Sequence, residues 1–316
     1  MATSPVGDTA SPEEIKLMIS ELEKIGSVLL PLDLKTIFNT LSEEVILSKE
    51  RLSRFLLLVA ILDQQAESPT ARKTALKIYE MFGNDLFETP KKVLLDLDRL
   101  ESIKGEYKIS PAIGRVLPRF GWFVLRVGGF LIYELILDRK NLSEELGKCE
   151  SPKEALNFLY SSPLLRSILR EKAARMYLSW VGHPDLGIDI SNGRWDRKSF
   201  EMPVNGHVGK VFSRTGMVSR VIHERKKGTD PRWNIIVASK MRPLIQEIAN
   251  KYSEDPIMLD HGAFRLGFNC CTDNIKKISC ETCPRVDECE IKEEIDCKGR
   301  CLLANYCKRN LVWRAY

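Results

Sequence analysis

Long apolar runs are scarce in this 316-residue chain. The most apolar stretch, Phe120–Leu137 (FGWFVLRVGGFLIYELIL), is broken by Arg126, Gly128, Gly129 and Glu134, which a lipid-spanning helix tolerates poorly. A buried core helix is the expectation, and with it a soluble protein without a membrane partner. The opening MATSPVGDTASPEE is polar and lacks the apolar segment of a secretory leader, so an intracellular, cytoplasmic setting is expected. Strand-type alternation is sparse, and no repeat of solenoid length recurs. No strong charge of one sign is present either: the net charge is +5, which permits a polyanionic partner without demanding one. With 44% hydrophobic residues, the chain can bury a substantial core, as one large domain or two modest ones.

Cysteine is nearly absent from the first 269 residues, where Cys149 stands alone, and is then crowded: eight of the nine lie between Cys270 and Cys307. An intracellular chain rarely gathers thiols without a metal to hold. The run Cys271-x8-Cys280-x2-Cys283-x5-Cys289 offers four thiolates within nineteen residues, the donor set of an iron–sulfur cluster or of zinc. Intracellular disulfides of the hyperthermophile kind are a further alternative. Cys297-x3-Cys301-x5-Cys307 loosely echoes the first run, and these three with Cys270 are candidates for a second metal, disulfides or plain thiols. Basic residues are also dense in this tail, offset in part by acidic ones.

Helical periodicity dominates the rest. Residues 1–10 are expected to be a disordered lead. Ser11-Pro12-Glu13-Glu14 supplies a cap, a proline in the first turn and a capping-box acid ahead of IKLMISELEKIG. Further helices are expected over Leu47–Asp63, over TARKTALKIYEMFG up to Gly83, and over Pro90–Leu100, Ile109–Asp138, Ser151–Tyr160, Leu164–Val181, His207–Thr215, Pro231–Lys251 and Leu259–Leu266. Residues 183–203, rich in Gly, Asp and Pro, read as a long loop of the kind that carries function. The expected architecture is all-α, with a helical region over 11–266 and a cysteine-rich metal loop and tail over 267–316.

Three stretches in order resemble the helix-hairpin-helix DNA glycosylases, specifically the endonuclease III and adenine-glycosylase branch whose members end in a [4Fe–4S] cluster loop. They are ILDQQAESPTARKTALKIYEMFG, MPVNGHVGKVFSRTGMV and the run from LGFNCC to the cluster cysteines, and they span about Ser42 to Cys289. The first interval, after Cys271, is longer than the family's. The resemblance implies a two-lobed helical fold around a central cleft. It also implies duplex DNA with a damaged or mismatched base as partner, a monomer, and a [4Fe–4S] cluster on Cys271, Cys280, Cys283 and Cys289, zinc being the alternative. The implied activity is flipping of that base and cleavage of its N-glycosidic bond, with AP-lyase chemistry if a lysine amine attacks the sugar.

By the same resemblance, Gln65 falls where the family wedges a residue into the gap left by the flipped base. Lys172, in ILREKAARMYLSWVG, falls at the lyase nucleophile. The glycine-bearing hairpin before it is replaced by Ser167-Ile168-Leu169-Arg170, leaving Arg170 and the turn's amides as phosphate contacts. Arg194, Trp195 and Arg197 in the long loop could reach the base, Trp195 by stacking. His207 and Lys210 follow in the helix after the motif, as a structural cap and a DNA contact. Asn205 stands where the family's catalytic aspartate is expected, and a neutral amide cannot act as a general base or supply a full negative charge. Three explanations remain open: a deliberate Asp-to-Asn change that traps a complex, another acid such as Asp189, Asp196 or Asp260, or a DNA-binding protein that no longer excises. An RNA-directed cluster protein is a further alternative.

Overall fold

The structure, a computed structural model, describes residues 1–28, 32–64, 68–96, 99, 100, 102, 119–137, 140–225, 234–271, 301–307, 313 and 314. These are mostly helical, as the periodicity predicts. The chain divides into two compact units, Met1–Leu30 with Phe200–Tyr316, and Pro31–Ser199. It therefore starts in the first unit, builds the second, and returns.

In the first unit, β1 (Ala2–Pro5) precedes α1 (Pro12–Val28). The capping box forms as expected: the Glu14 amide donates to Ser11 Oγ at 3.2 Å, and Glu14 Oε2 accepts from the Ser11 amide at 2.8 Å. The expectation of a disordered lead is corrected. Residues 2–5 pair antiparallel with 220–223, Val6 is buried, and the Ala10 amide donates to Gly216 O at 2.9 Å. Four residues reading Ala-Thr-Ser-Pro carry no pattern of their own; their partner strand lies more than 200 positions away and supplies the order.

In the second unit, α2 (Leu32–Thr40) leads to α3 (Lys49–Leu62), in which every residue from Leu52 to Leu62 is buried. A helix covered on all sides belongs at the centre of its layer, and each large apolar side chain so buried contributes about 1.5–3 kcal/mol. Around it stand α4 (Ser68–Phe82), which closes at Gly83 with φ 55°, and α5 (Arg119–Leu137). Residues 109–118 of the helix expected over Ile109–Asp138 lie outside the described residues. Arg54 on α3 ties this core together: it pairs with Glu50, meets Glu134 of α5 at 2.9 Å and donates to Lys140 O at 2.9 Å. The helix expected over Leu164–Val181 divides into α6 (Pro163–Ile168) and α7 (Glu171–Gly182). Two buried side chains break it: Gln64 Nε2 takes Ile168 O at 2.7 Å, Gln64 Oε1 takes the Arg170 amide at 2.8 Å, and Arg126 also donates to Ile168 O.

Back in the first unit come α8 (Gly206–Arg214), β2 (Arg220–Arg225), β3 (Asn234–Ile236), α9 (Ala238–Tyr252), α10 (Pro256–Asn269) and β4 (Trp313–Arg314). The sheet order is β1-β2-β3-β4, with β3 and β4 parallel and the other pairs antiparallel. The strand β3 corrects the helix expected from Pro231: pairing with β2 takes Asn234–Ile236, and the helix begins at Ala238. Helices α1 and α10 cross at backbone contact. A β-carbon on Gly262 would stand 1.8 Å from Leu22 O, and one on Gly26 2.0 Å from Met258 O, so only glycine fits at either place. The described tail is no appendage, because Cys301 and Leu303 lie in the same core as Met18, Val208 and Leu259.

Candidate functional site

The motif Pro203-Val204-Asn205-Gly206-His207 enters α8. Asn205 is extended and serves as the helix N-cap, its Oδ1 accepting from the His207 amide at 2.8 Å and the Val208 amide at 3.0 Å. Just before it, Val204 has φ 43°, a left-handed conformation that a β-branched residue adopts at a cost of order 1–3 kcal/mol. Two neighbours hold the strained segment. Asp260 of α10, buried to 5% exposure, accepts the Val204 amide at 3.0 Å, and Gln246 of α9 accepts the Met202 amide at 2.8 Å. His207 then fastens α8 to α10: its Nδ1 lies 3.2 Å from Gly267 O, and its ring meets the Phe264 and Phe268 rings at 5.8 and 5.5 Å. His207 thus anchors α8 to α10, while the cap of α8 is Asn205.

This geometry defines what Asn205 presents. Its carbonyl oxygen accepts from the helix amides, so the part of the carboxamide left off the cap is NH₂, a donor with a positive partial charge. An aspartate in the same pose keeps one oxygen on the cap and leaves a second, anionic oxygen off it. The capping role suits either residue; the electrostatics do not.

The other residues expected to act divide in two. Lys172 is half-buried in the first turn of α7, in the second unit, and its neighbour Glu171 pairs with Arg175 at 3.3 Å. Arg170 caps α7 with an exposed side chain, but its backbone amide is taken by Gln64, so that amide is closed to a phosphate. Arg194 is exposed, with Nε on Ser191 O at 3.0 Å. Gln65, Cys280, Cys283, Cys289 and Cys297 lie outside the described residues.

Two expectations are corrected. Trp195 is 2% exposed, donates from its indole nitrogen to Cys149 O at 2.8 Å and lies so close to Gly182 that a β-carbon there would stand 2.2 Å from its ring. It packs the long loop and offers no face for a base to stack on. Lys210 is 1% exposed, with Nζ donating to Cys271 O, and serves the fold instead of a phosphate. Among the alternative acids, Asp260 is engaged at Val204. Asp189 Oδ1 accepts from Ser191 Oγ at 2.8 Å, and Asp196 Oδ1 from the Lys198 amide at 3.3 Å, so both organise local turns. The clamp formed by Asp260 and Gln246, and the lock formed by Gln64, have no local signal in the sequence, since each partner is at least 44 positions away.

Cys149, Cys270, Cys271, Cys301 and Cys307 are thiols. Burial pushes the Cys271 thiol up to about 12; neighbouring Cys301 adds to this, while Arg214 and Lys210 pull it down. The Cys301 thiol is held below its ordinary value, chiefly by a side-chain hydrogen bond with Cys270 and then by the backbone at Leu303. A thiol set beside two basic side chains suits a thiophilic metal or cluster in its chemistry. Among the described residues, no three of these sulfur atoms lie within 4.8 Å of one another.

No family model, curated protein or solved structure matches the chain.

Proposed function

We propose that this protein acts on duplex DNA in base excision, flipping a damaged or mispaired base and cleaving its N-glycosidic bond. The observation that carries the reading is the strained, clamped N-cap at Asn205, within the motif that resembles the glycosylases. Strain of this kind survives where the surroundings over-determine it, as functional sites do. In the reaction the C1′–N bond breaks, its electron pair leaves with the base, and the base takes up a proton. Positive charge grows on the sugar, where an anionic oxygen at position 205 would stabilise it, until a water molecule adds to C1′ and gives up a proton. In the lyase version the Lys172 amine bonds to C1′ as the base departs and loses a proton to give an aminal; the C1′–O4′ bond then breaks, O4′ taking up a proton, to leave the Schiff base. Cys271, Cys280, Cys283 and Cys289 would hold a [4Fe–4S] cluster, with zinc as the alternative, whose part is to order the basic tail against phosphates.

A second reading is supported by the same residue. With its oxygen spent on the cap, Asn205 has a donor and no anion to offer the developing charge, which suits a protein that binds DNA and does not excise. Borohydride trapping and base release on damaged and abasic duplexes separate the two. Asn205→Asp retains the cap, and it is expected to raise base release by roughly a hundredfold or more. A covalent adduct that disappears in Lys172→Ala supports the lyase. Neither adduct nor base release, even in Asn205→Asp, overturns the enzyme reading; salt-sensitive duplex binding would then support the binder.

A further inference from the structure

Among the described residues, Phe268 is the one phenylalanine, tyrosine or tryptophan left exposed, at 45%. It lies in the last turn of α10, in the first unit, and its neighbours fix the ring. Half-buried Phe264, one turn earlier, stacks on it with centroids 6.0 Å apart and planes at 26°. The His207 ring meets it edge-on at 5.5 Å and 73°, and meets Phe264 at 5.8 Å and 82°. One residue before the ring, a β-carbon on Gly267 would stand 2.5 Å from His207 O, so α10 lies on α8 at backbone contact there. The 3.2 Å contact between His207 Nδ1 and Gly267 O closes the same joint. The His207 amide is also one of the two that Asn205 caps, so the ring cluster adjoins the Asn205 motif.

A scattered apolar side chain on a surface needs no explanation. A ring that a second aromatic, a histidine and a glycine crossing hold in one plane is a rigid π surface, the feature on which unpaired bases stack. We propose that Phe268, backed by Phe264 and edged by His207, is a stacking platform for one unpaired nucleobase of bound DNA. The size of the surface decides against a protein partner. A phenylalanine covers about 150–250 Å², whereas each side of a stable protein interface covers roughly 800 Å². One ring suits one base. Every base has a π face, so stacking is tolerant of base identity, and the platform selects unpaired over paired DNA without choosing among bases. The inference rests on the DNA reading. It needs neither an acid nor a nucleophile, and so it holds for the enzyme and the binder alike.

The test measures binding of the whole protein, by fluorescence anisotropy, to a fully paired duplex and to the same duplex with one bulged thymine. Wild type is expected to favour the bulged duplex. Phe268→Ala is expected to weaken that complex by roughly fivefold to a hundredfold, the worth of one base stack, and to leave the paired duplex unchanged. Phe268→Leu keeps apolar bulk without a π face and is expected to lose the same preference, while Phe268→Trp restores it. Circular dichroism checks that each variant is folded. A preference for the bulge that survives in Phe268→Ala and Phe268→Leu overturns the platform and leaves the DNA reading standing, as does wild-type binding without any preference. Failure to bind either duplex overturns the DNA reading and the platform with it. Self-association of wild type that disappears in Phe268→Ala assigns the ring to a second copy of the chain and overturns the platform.

Discussion

Val204 is costly in its left-handed conformation, and Asp260 is the side chain that holds its amide. Asp260→Ala leaves that buried N–H without its acceptor, at about 1–3 kcal/mol. The expected outcome is a loss of that size in denaturant unfolding, with Asp260→Asn recovering much of it because the amide oxygen still accepts. A loss no larger than that of an exposed Asp→Ala control would show that the clamp is idle. At this scale the motif around Asn205 is legible from residue order, and so is the oddity of an asparagine there. Its capping pose and the clamp are not legible, because the bond that matters spans 56 positions. Trp195 and Lys210 show the converse: residue types that suit DNA contact are turned inward by packing.

At the scale of elements, the second unit is organised by an apolar helix that must accommodate charge. Glu134 on α5 lies against Arg54 of α3, yet burial dominates and pushes its carboxyl up to about 8. The folded-state value lies above that of the unfolded chain, so this group stabilises fully below about pH 4.5 and the contribution is lost as pH rises through 8. Glu134→Gln, which carries no charge to desolvate, is therefore expected to gain on wild type between pH 5 and 8 in paired thermal-unfolding series. A constant difference across that window would contradict the assignment. Most helices were readable from caps and period: the Ser11–Glu14 box forms as written, and Gly83 ends α4. The helix expected over Leu164–Val181 was divided by Gln64 and Arg126, and neither belongs to it.

At the scale of the whole molecule, the chain opens in a unit that it completes only after residue 200. Strand β1 covers one edge of β2, and Val6 is buried behind it. Removing residues 1–7 is thus expected to cost the first unit about 2 kcal/mol or more, from the lost apolar burial alone. Unchanged unfolding of the truncated protein would restore the view of residues 1–10 as a loose lead. The amino-acid sequence by itself determined the helical class, the caps, the crowding of thiols and the asparagine in Pro203-Val204-Asn205-Gly206-His207, since each depends on neighbours within a turn or two. Tertiary structure alone decided that Trp195 and Lys210 are structural, that Asp260 clamps Val204 and that Cys270 and Cys271 pack against the core that contains Cys301. Those outcomes depend on desolvation and on contacts between distant segments, which local periodicity does not encode.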